Sequence, residues 1–197
     1  MKKDLILMMG GQGSGKGTLS QRLINEYPNF KYVETGAMLR ALPDNHPLKA
    51  IMARGEFVPD EDLQKLLLEK IDPRYDTVLD GFPRQLSQAK WLIDTVSNQF
   101  RATIAVYLNI QRDLMRSRIK QRLAEGGGRA DDADEAVVQK RLDSFFVKTV
   151  PAINWIEQIK STNKIVEFAN IQITDAPIDV NYQKVKNAIS ALRAKTR

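Results

Sequence analysis

An α/β fold, with a five-stranded parallel sheet flanked by helices, is predicted from three observations on the sequence. Short apolar runs alternate with longer amphipathic stretches along the whole chain. The first run, residues 5–9, is apolar at every position, as in a strand buried on both faces rather than one. Its end meets a glycine-rich turn that leads directly into a helical pattern.

Taken in order, residues 5–9 (LILMM) form the first strand. Residues 18–27 then read as a helix with Leu19, Leu23 and Ile24 on one side. Strand-like runs recur at 31–33, 77–79, 103–110 and 164–168, separated by helical stretches at 61–71, 85–98, 111–124, 135–159 and 180–194. In the last of these, Val185, Ala188, Ile189 and Leu192 recur at the spacing of one helix face. Pro151 is expected to kink the long helix before it rather than end it. Two segments stand apart from the alternation: a turn-rich stretch at 43–59 around a short apolar pattern, and the glycine-rich, charged loop 125–132. A single domain over residues 1–197 follows, with core segments 1–34, 59–122 and 134–197, an insert at 35–58 and a short loop insert at 123–133.

The 197 residues are 43% hydrophobic, and their net charge of +6 comes from 30 basic against 24 acidic side chains. Such a balance suits either nonspecific nucleic-acid binding or arginines gathered about a small anionic ligand. The remaining lysines are scattered along helices, which argues against a nucleic-acid groove. The chain contains no cysteine, which excludes disulfides and thiolate zinc sites. No run approaches the roughly 20 apolar residues that span a bilayer, and the N-terminus lacks a secretory pattern. A soluble cytoplasmic protein is expected.

The run GGQGSGKGT at 10–18 contains G-x-x-x-x-G-K between strand and helix. Glycines let successive backbone N–H groups turn inward around a phosphate chain, and the positive end of the following helix adds to the attraction. Lys16 supplies charge that follows a transferred phosphoryl group. The combination points to a P-loop core that binds a nucleoside triphosphate. Asp80 ends a strand-like run where such proteins direct a carboxylate toward magnesium, with contact through coordinated water preferred.

Four more segments accompany the loop: TGAMLR at 35–40, GEFVPDE at 55–61, DGFPRQLSQ at 80–88 and GRADD at 128–132, with KRL at 140–142 beyond. In this order they resemble the adenylate kinase family, over nearly the whole chain. That family's loop is typically G-x-P-G-x-G-K-G-T, so Gln12 stands in a proline position and the Gly17-Thr18 ending is normal. The resemblance implies reversible transfer of a phosphoryl group from ATP to AMP, giving two ADP, with Mg²⁺ accompanying ATP and no zinc. A monomer binding these small nucleotides, with neither nucleic acid nor membrane as partner, is expected.

By the same resemblance Lys16, Arg84, Arg122, Arg129 and Arg141 are the catalytic charges. Gly13, Ser14, Gly15, Lys16, Gly17, Thr18, Arg118, Arg122 and Ala176 would surround ATP. Thr35, Arg40, Glu56, Phe57, Val58, Gly81, Phe82, Pro83, Arg84, Gln88, Arg129 and Arg141 would surround AMP, with the 35–58 insert as its binding flap and 123–133 as a short lid. Arg118 competes with Arg122 for one place, because the helix before the loop needs a small gap to match the family; the two are four apart on that predicted helix and share a face. Bringing two nucleotides together gathers five phosphates, and arginine's planar fork grips their oxygens in pairs. Thr35 and Gln88 favour adenine, a glutamine amide both donating and accepting at the base edge. Asp131 and Asp132 are expected to pair with arginines. The family usually carries aspartate where this chain has Ala37. A kinase for UMP or CMP, and a nucleotide-binding regulator without turnover, remain as alternatives.

Overall fold

The structure, a computed structural model, describes residues 2–127 and 132–196. Five strands, β1 (Asp4–Met9), β2 (Lys31–Glu34), β3 (Thr77–Asp80), β4 (Ala102–Asn109) and β5 (Val166–Gln172), form one parallel sheet in the order β2-β3-β1-β4-β5. The α/β fold read from the sequence is therefore the observed one. Every residue of β1 is buried, as are Ala102–Val106 of β4. Continuous burial of this kind requires cover on both faces, which is why these runs do not alternate with polar residues.

Helices α1 (Lys16–Glu26) and α9 (Ile178–Lys195) pack against each other, α9 also lying on β4 and β5. Helices α5 (Leu86–Trp91) and α8 (Val150–Ile159) form a second packed pair, with α8 on β5. Leu5, Leu7, Leu79, Ile104 and Val106 meet the helical Leu19, Leu23, Leu92, Ile156 and Val185 in one core, all less than 2% exposed. The remaining helices are α2 (Thr35–Arg40), α3 (Pro47–Ala53), α4 (Asp60–Lys70), α6 (Arg112–Ala124) and α7 (Glu135–Ser144).

Three local readings change. The turn-rich stretch contains α3: Pro47 takes the first turn, where a missing N–H costs nothing, and His46 caps it by accepting from Leu48 N at 3.2 Å through Nδ1. His46 is thus a helix cap. The long 135–159 helix is continuous but passes through a π-helical turn, Phe145–Thr149, just before Pro151. Pro151 supplies no N–H to the carbonyl four residues back, and the wider turn absorbs the mismatch. Residues 85–98 likewise pass from α5 into a π turn at Leu92–Val96.

Parallel pairing brings the carboxyl ends of β1, β2 and β3 level, with Met8 opposite Asp80 and Glu34 opposite Asp80. The loops that leave these ends build the site.

Candidate active site

Between β1 and α1 the chain turns tightly over residues 10–15. Gly13 and Gly15 adopt φ of +79° and +88°, which L side chains rarely adopt. A side chain at Gly13 would also strike the Met115 carbonyl of α6, 2.6 Å from the added carbon. No side chain caps α1, which leaves its first N–H groups available to an anion. Lys16 Nζ bends back over the loop and donates to the carbonyls of Gly10 (2.7 Å) and Gly11 (3.0 Å).

Asp80 closes the strand next to β1 and is only 4% exposed. Burial raises its carboxyl above the usual range, outweighing the Lys16 charge and the Tyr32 hydroxyl that act the other way. Tyr32 donates to Asp80 Oδ2 at 3.0 Å, and burial with the two nearby carboxylates pushes its phenol well upward, so it stays a donor. Glu34, on the neighbouring strand, accepts from Arg40 Nη2 at 2.8 Å.

The chain leaving β3 carries the next group. Arg84 Nε donates to the Gly81 carbonyl (2.7 Å), and its own backbone N–H donates to Gln88 Oε1 (2.7 Å). Gln88 is buried, and its Nε2 donates to Asp60 Oδ1 at 2.8 Å. Asp60 also accepts from Gln85 and Ser87, so one carboxylate at the start of α4 organises the start of α5. The Thr35 hydroxyl lies 3.0 Å from the Gly81 carbonyl, which leaves its oxygen lone pairs as acceptors. Glu56 accepts from Lys140 of α7 at 3.0 Å; hydrogen bonds from Lys140 and Arg54 hold its carboxyl below the usual range.

Opposite stand the arginines of α6 and α7. Arg118 Nη2 donates to the Thr174 carbonyl at 2.7 Å. Arg122 Nη2 donates to Asp132, and Arg141 Nη1 lies 3.6 Å from the same carboxylate. Arg129 and Asp131 lie outside the described residues.

These groups surround one cavity of about 820 Å³. Its lining includes every described candidate except Ser14: Gly13, Gly15, Lys16, Gly17, Thr18, Arg118, Arg122 and Ala176, together with Thr35, Arg40, Glu56, Phe57, Val58, Gly81, Phe82, Pro83, Arg84, Gln88, Arg141 and Asp80. Ser14 is buried beneath the loop, its hydroxyl without a hydrogen-bond partner among the described residues.

A family model described as adenylate kinase matches residues 8–161. Among curated proteins, adenylate kinase 1 of Schistosoma mansoni is 33% identical over 195 residues, covering 94% of each chain. The adenylate kinase of Thermus thermophilus is 35% identical over 158 residues, 77% of this chain and 82% of the relative. Adenylate kinase isoenzyme 1 of Rattus norvegicus is 30% identical over 173 residues, 83% and 86% of the two.

The chain belongs to the adenylate kinase family.

Within the family's framework, four residues of this site went unassigned in the sequence. Tyr32 and Glu34 precede the TGAMLR motif and become neighbours of Asp80 only through strand pairing. Asp60, at the end of GEFVPDE, acts through side-chain contacts that spacing does not reveal. Gln12 was visible as a departure from proline, but its partner, Asp132, is 120 residues away.

Proposed function

We propose that the protein transfers the γ-phosphoryl group of Mg-ATP reversibly to AMP, giving two ADP. One observation carries this reading: a single cavity joins a phosphate loop to arginines from four separate segments, at 40, 84, 118–122 and 141. A site for one triphosphate alone has no need of that second cationic group. Two nucleotides meeting phosphate to phosphate do.

In this reading the phosphate loop and Lys16 hold the β- and γ-phosphates, while Arg118, Arg122 and Ala176 flank the rest of ATP. Arg40, Arg84 and Arg141 receive the monophosphate, and Arg129 belongs to the same group. Thr35 and Gln88 face the acceptor's base. No general base or covalent intermediate is required. Catalysis comes from alignment and from charge cancellation by Lys16, Arg84, Arg122, Arg129 and Arg141.

Asp80 is a fitting neighbour for magnesium, since its buried carboxylate sits beside Lys16 and the loop, and an oxygen donor suits that ion. Bound with ATP, magnesium would neutralise charge on the phosphates, Asp80 orienting one of its waters. Because Asp80 ionises less readily in the folded chain than in the unfolded one, its charge costs stability at neutral pH. Asp80→Asn is therefore expected to raise the melting temperature of the nucleotide-free protein while lowering its magnesium-supported turnover by at least tenfold. A melt and an activity assay on the same preparation check both signs.

The acceptor is tested by incubating the protein with Mg-ATP and, separately, AMP, UMP, CMP, GMP and dAMP. Fast diphosphate formation with AMP, against slow formation with the pyrimidines, is the expected result. Preference for another monophosphate would overturn the role given to Thr35 and Gln88. Tight ATP binding without turnover on any acceptor would favour a regulator instead. A cytoplasmic monomer in nucleotide biosynthesis belongs to the same reading. The absence of cysteine suits a reducing compartment; among the described residues no helix is long and apolar enough to cross a membrane.

A further inference from the structure

We propose that Gln12 is a positioning residue that holds the Asp132 carboxylate, and through it sets which edge of Arg122 is offered to phosphate. The proposal rests on the reading that Arg122 and Arg141 bind phosphate.

Gln12 lies in the phosphate loop, where the family pattern has proline and so no side-chain amide. Its Nε2 donates to Asp132 Oδ1 at 2.6 Å. Asp132 is 5% exposed; its Oδ2 accepts from Arg122 Nη2, and Arg141 Nη1 lies 3.6 Å from the Oδ1 that Gln12 holds. Arg122 Nε is buried and, among the described residues, has no hydrogen-bond partner.

A carboxylate and a guanidinium left to themselves pair through two parallel bonds, the acid using both Nε and Nη2 of the arginine. Among the described residues only Nη2 is engaged, and the buried Nε keeps its N–H for another oxygen. The Gln12 amide, at 2.6 Å nearer to Asp132 Oδ1 than Arg141 Nη1 is, holds the oxygen that would otherwise turn to Arg122 Nε. Asp132 competes with phosphate for the arginines. Gln12 limits that competition to one edge and leaves the other for the nucleotide.

Gln12→Leu removes the amide at similar size, and Gln12→Pro supplies the residue of the family pattern. Each is made in the wild-type and the Asp132→Asn backgrounds, and circular dichroism and melting establish that the variants fold. Affinity for a non-hydrolysable Mg-ATP analogue is measured by calorimetry, alongside KM for ATP and kcat. In the wild-type background, either substitution is expected to weaken analogue binding about tenfold and to raise KM for ATP in step. Once Asp132 is Asn, whose weaker pairing does not compete, the same substitution should matter less than twofold. Equal losses in both backgrounds, or no loss in a folded variant, would overturn the proposal. Turnover of AMP by the wild-type protein in the same assays tests the functional reading separately, since the binding cycle does not depend on an acceptor.

Discussion

Arg84→Ala is expected to lower kcat by about 10³–10⁵-fold, the worth of charge-stabilising arginines in phosphoryl transfer. The surroundings make this a clean substitution. The residue's backbone is anchored on both sides, its N–H donating to Gln88 Oε1 and its carbonyl accepting from Thr149 Oγ1 at 2.9 Å. Neither bond involves the guanidinium, so both anchors remain when the side chain is shortened and its bond to the Gly81 carbonyl is lost. The fork itself lines the cavity beside Asp80 and Gly81. Arg84→Lys should recover only part of the loss, because a point charge cannot span two oxygens. Steady-state kinetics in both substrates, with a melt to confirm folding, read the effect. Near-normal kcat in Arg84→Ala would remove the residue from its proposed role.

Asp4→Ala should destabilise the protein by about 3 kcal/mol, the low end for breaking a buried ion pair. The corresponding fall in melting temperature is on the order of 10 °C. Asp4 is fully buried at the start of β1 and receives Arg101 through Nε and Nη2 and Arg193 through Nε at 2.7 Å. Arg193 also reaches Asp76 at 3.0 Å, and Asp76 accepts from the Asp4 N–H at 2.7 Å. Removing the carboxylate takes away the anion that Arg101 and Arg193 share, with Arg193 keeping Asp76. Both arginines keep about a quarter of their side-chain surface in water, which is why the low end applies. Asp4 begins the strand whose far end meets the phosphate loop, so kcat per folded molecule should not change. Urea unfolding together with an assay below the transition separates the two effects.

How far the sequence could be read followed how local each signal was. The apolar run 5–9, the glycine spacing and Lys16 are contiguous, and they fix β1, the loop and α1 together. The helix α3 was harder, since seven residues with a proline at the start look like a turn, and its cap is a histidine nitrogen rather than a Ser, Thr, Asp or Asn oxygen. The last strand was placed early, at 164–168, because Asn170 and Gln172 interrupt the apolar run. As part of an edge strand they need burial on fewer sides. Within the site, the arginines and Gln88 were legible because their motifs are short. The contacts that orient them were not: Asp60 to Gln88, Gln12 to Asp132 and Tyr32 to Asp80 join residues brought together only by the sheet and helix packing.

The strand order carries a consequence for how the chain acquires its shape. Leu5 pairs with Thr77 on one side and Thr103 on the other, so the first strand to be synthesised gains its second neighbour only with β4 and its first only once β3 has been made. Until then its backbone donors and its five consecutive apolar side chains have no native partners. Such non-local pairing slows folding relative to helical bundles and leaves a sticky segment exposed early in synthesis. The strand that later presents the phosphate loop is thus the one most dependent on protection while the rest of the chain is made.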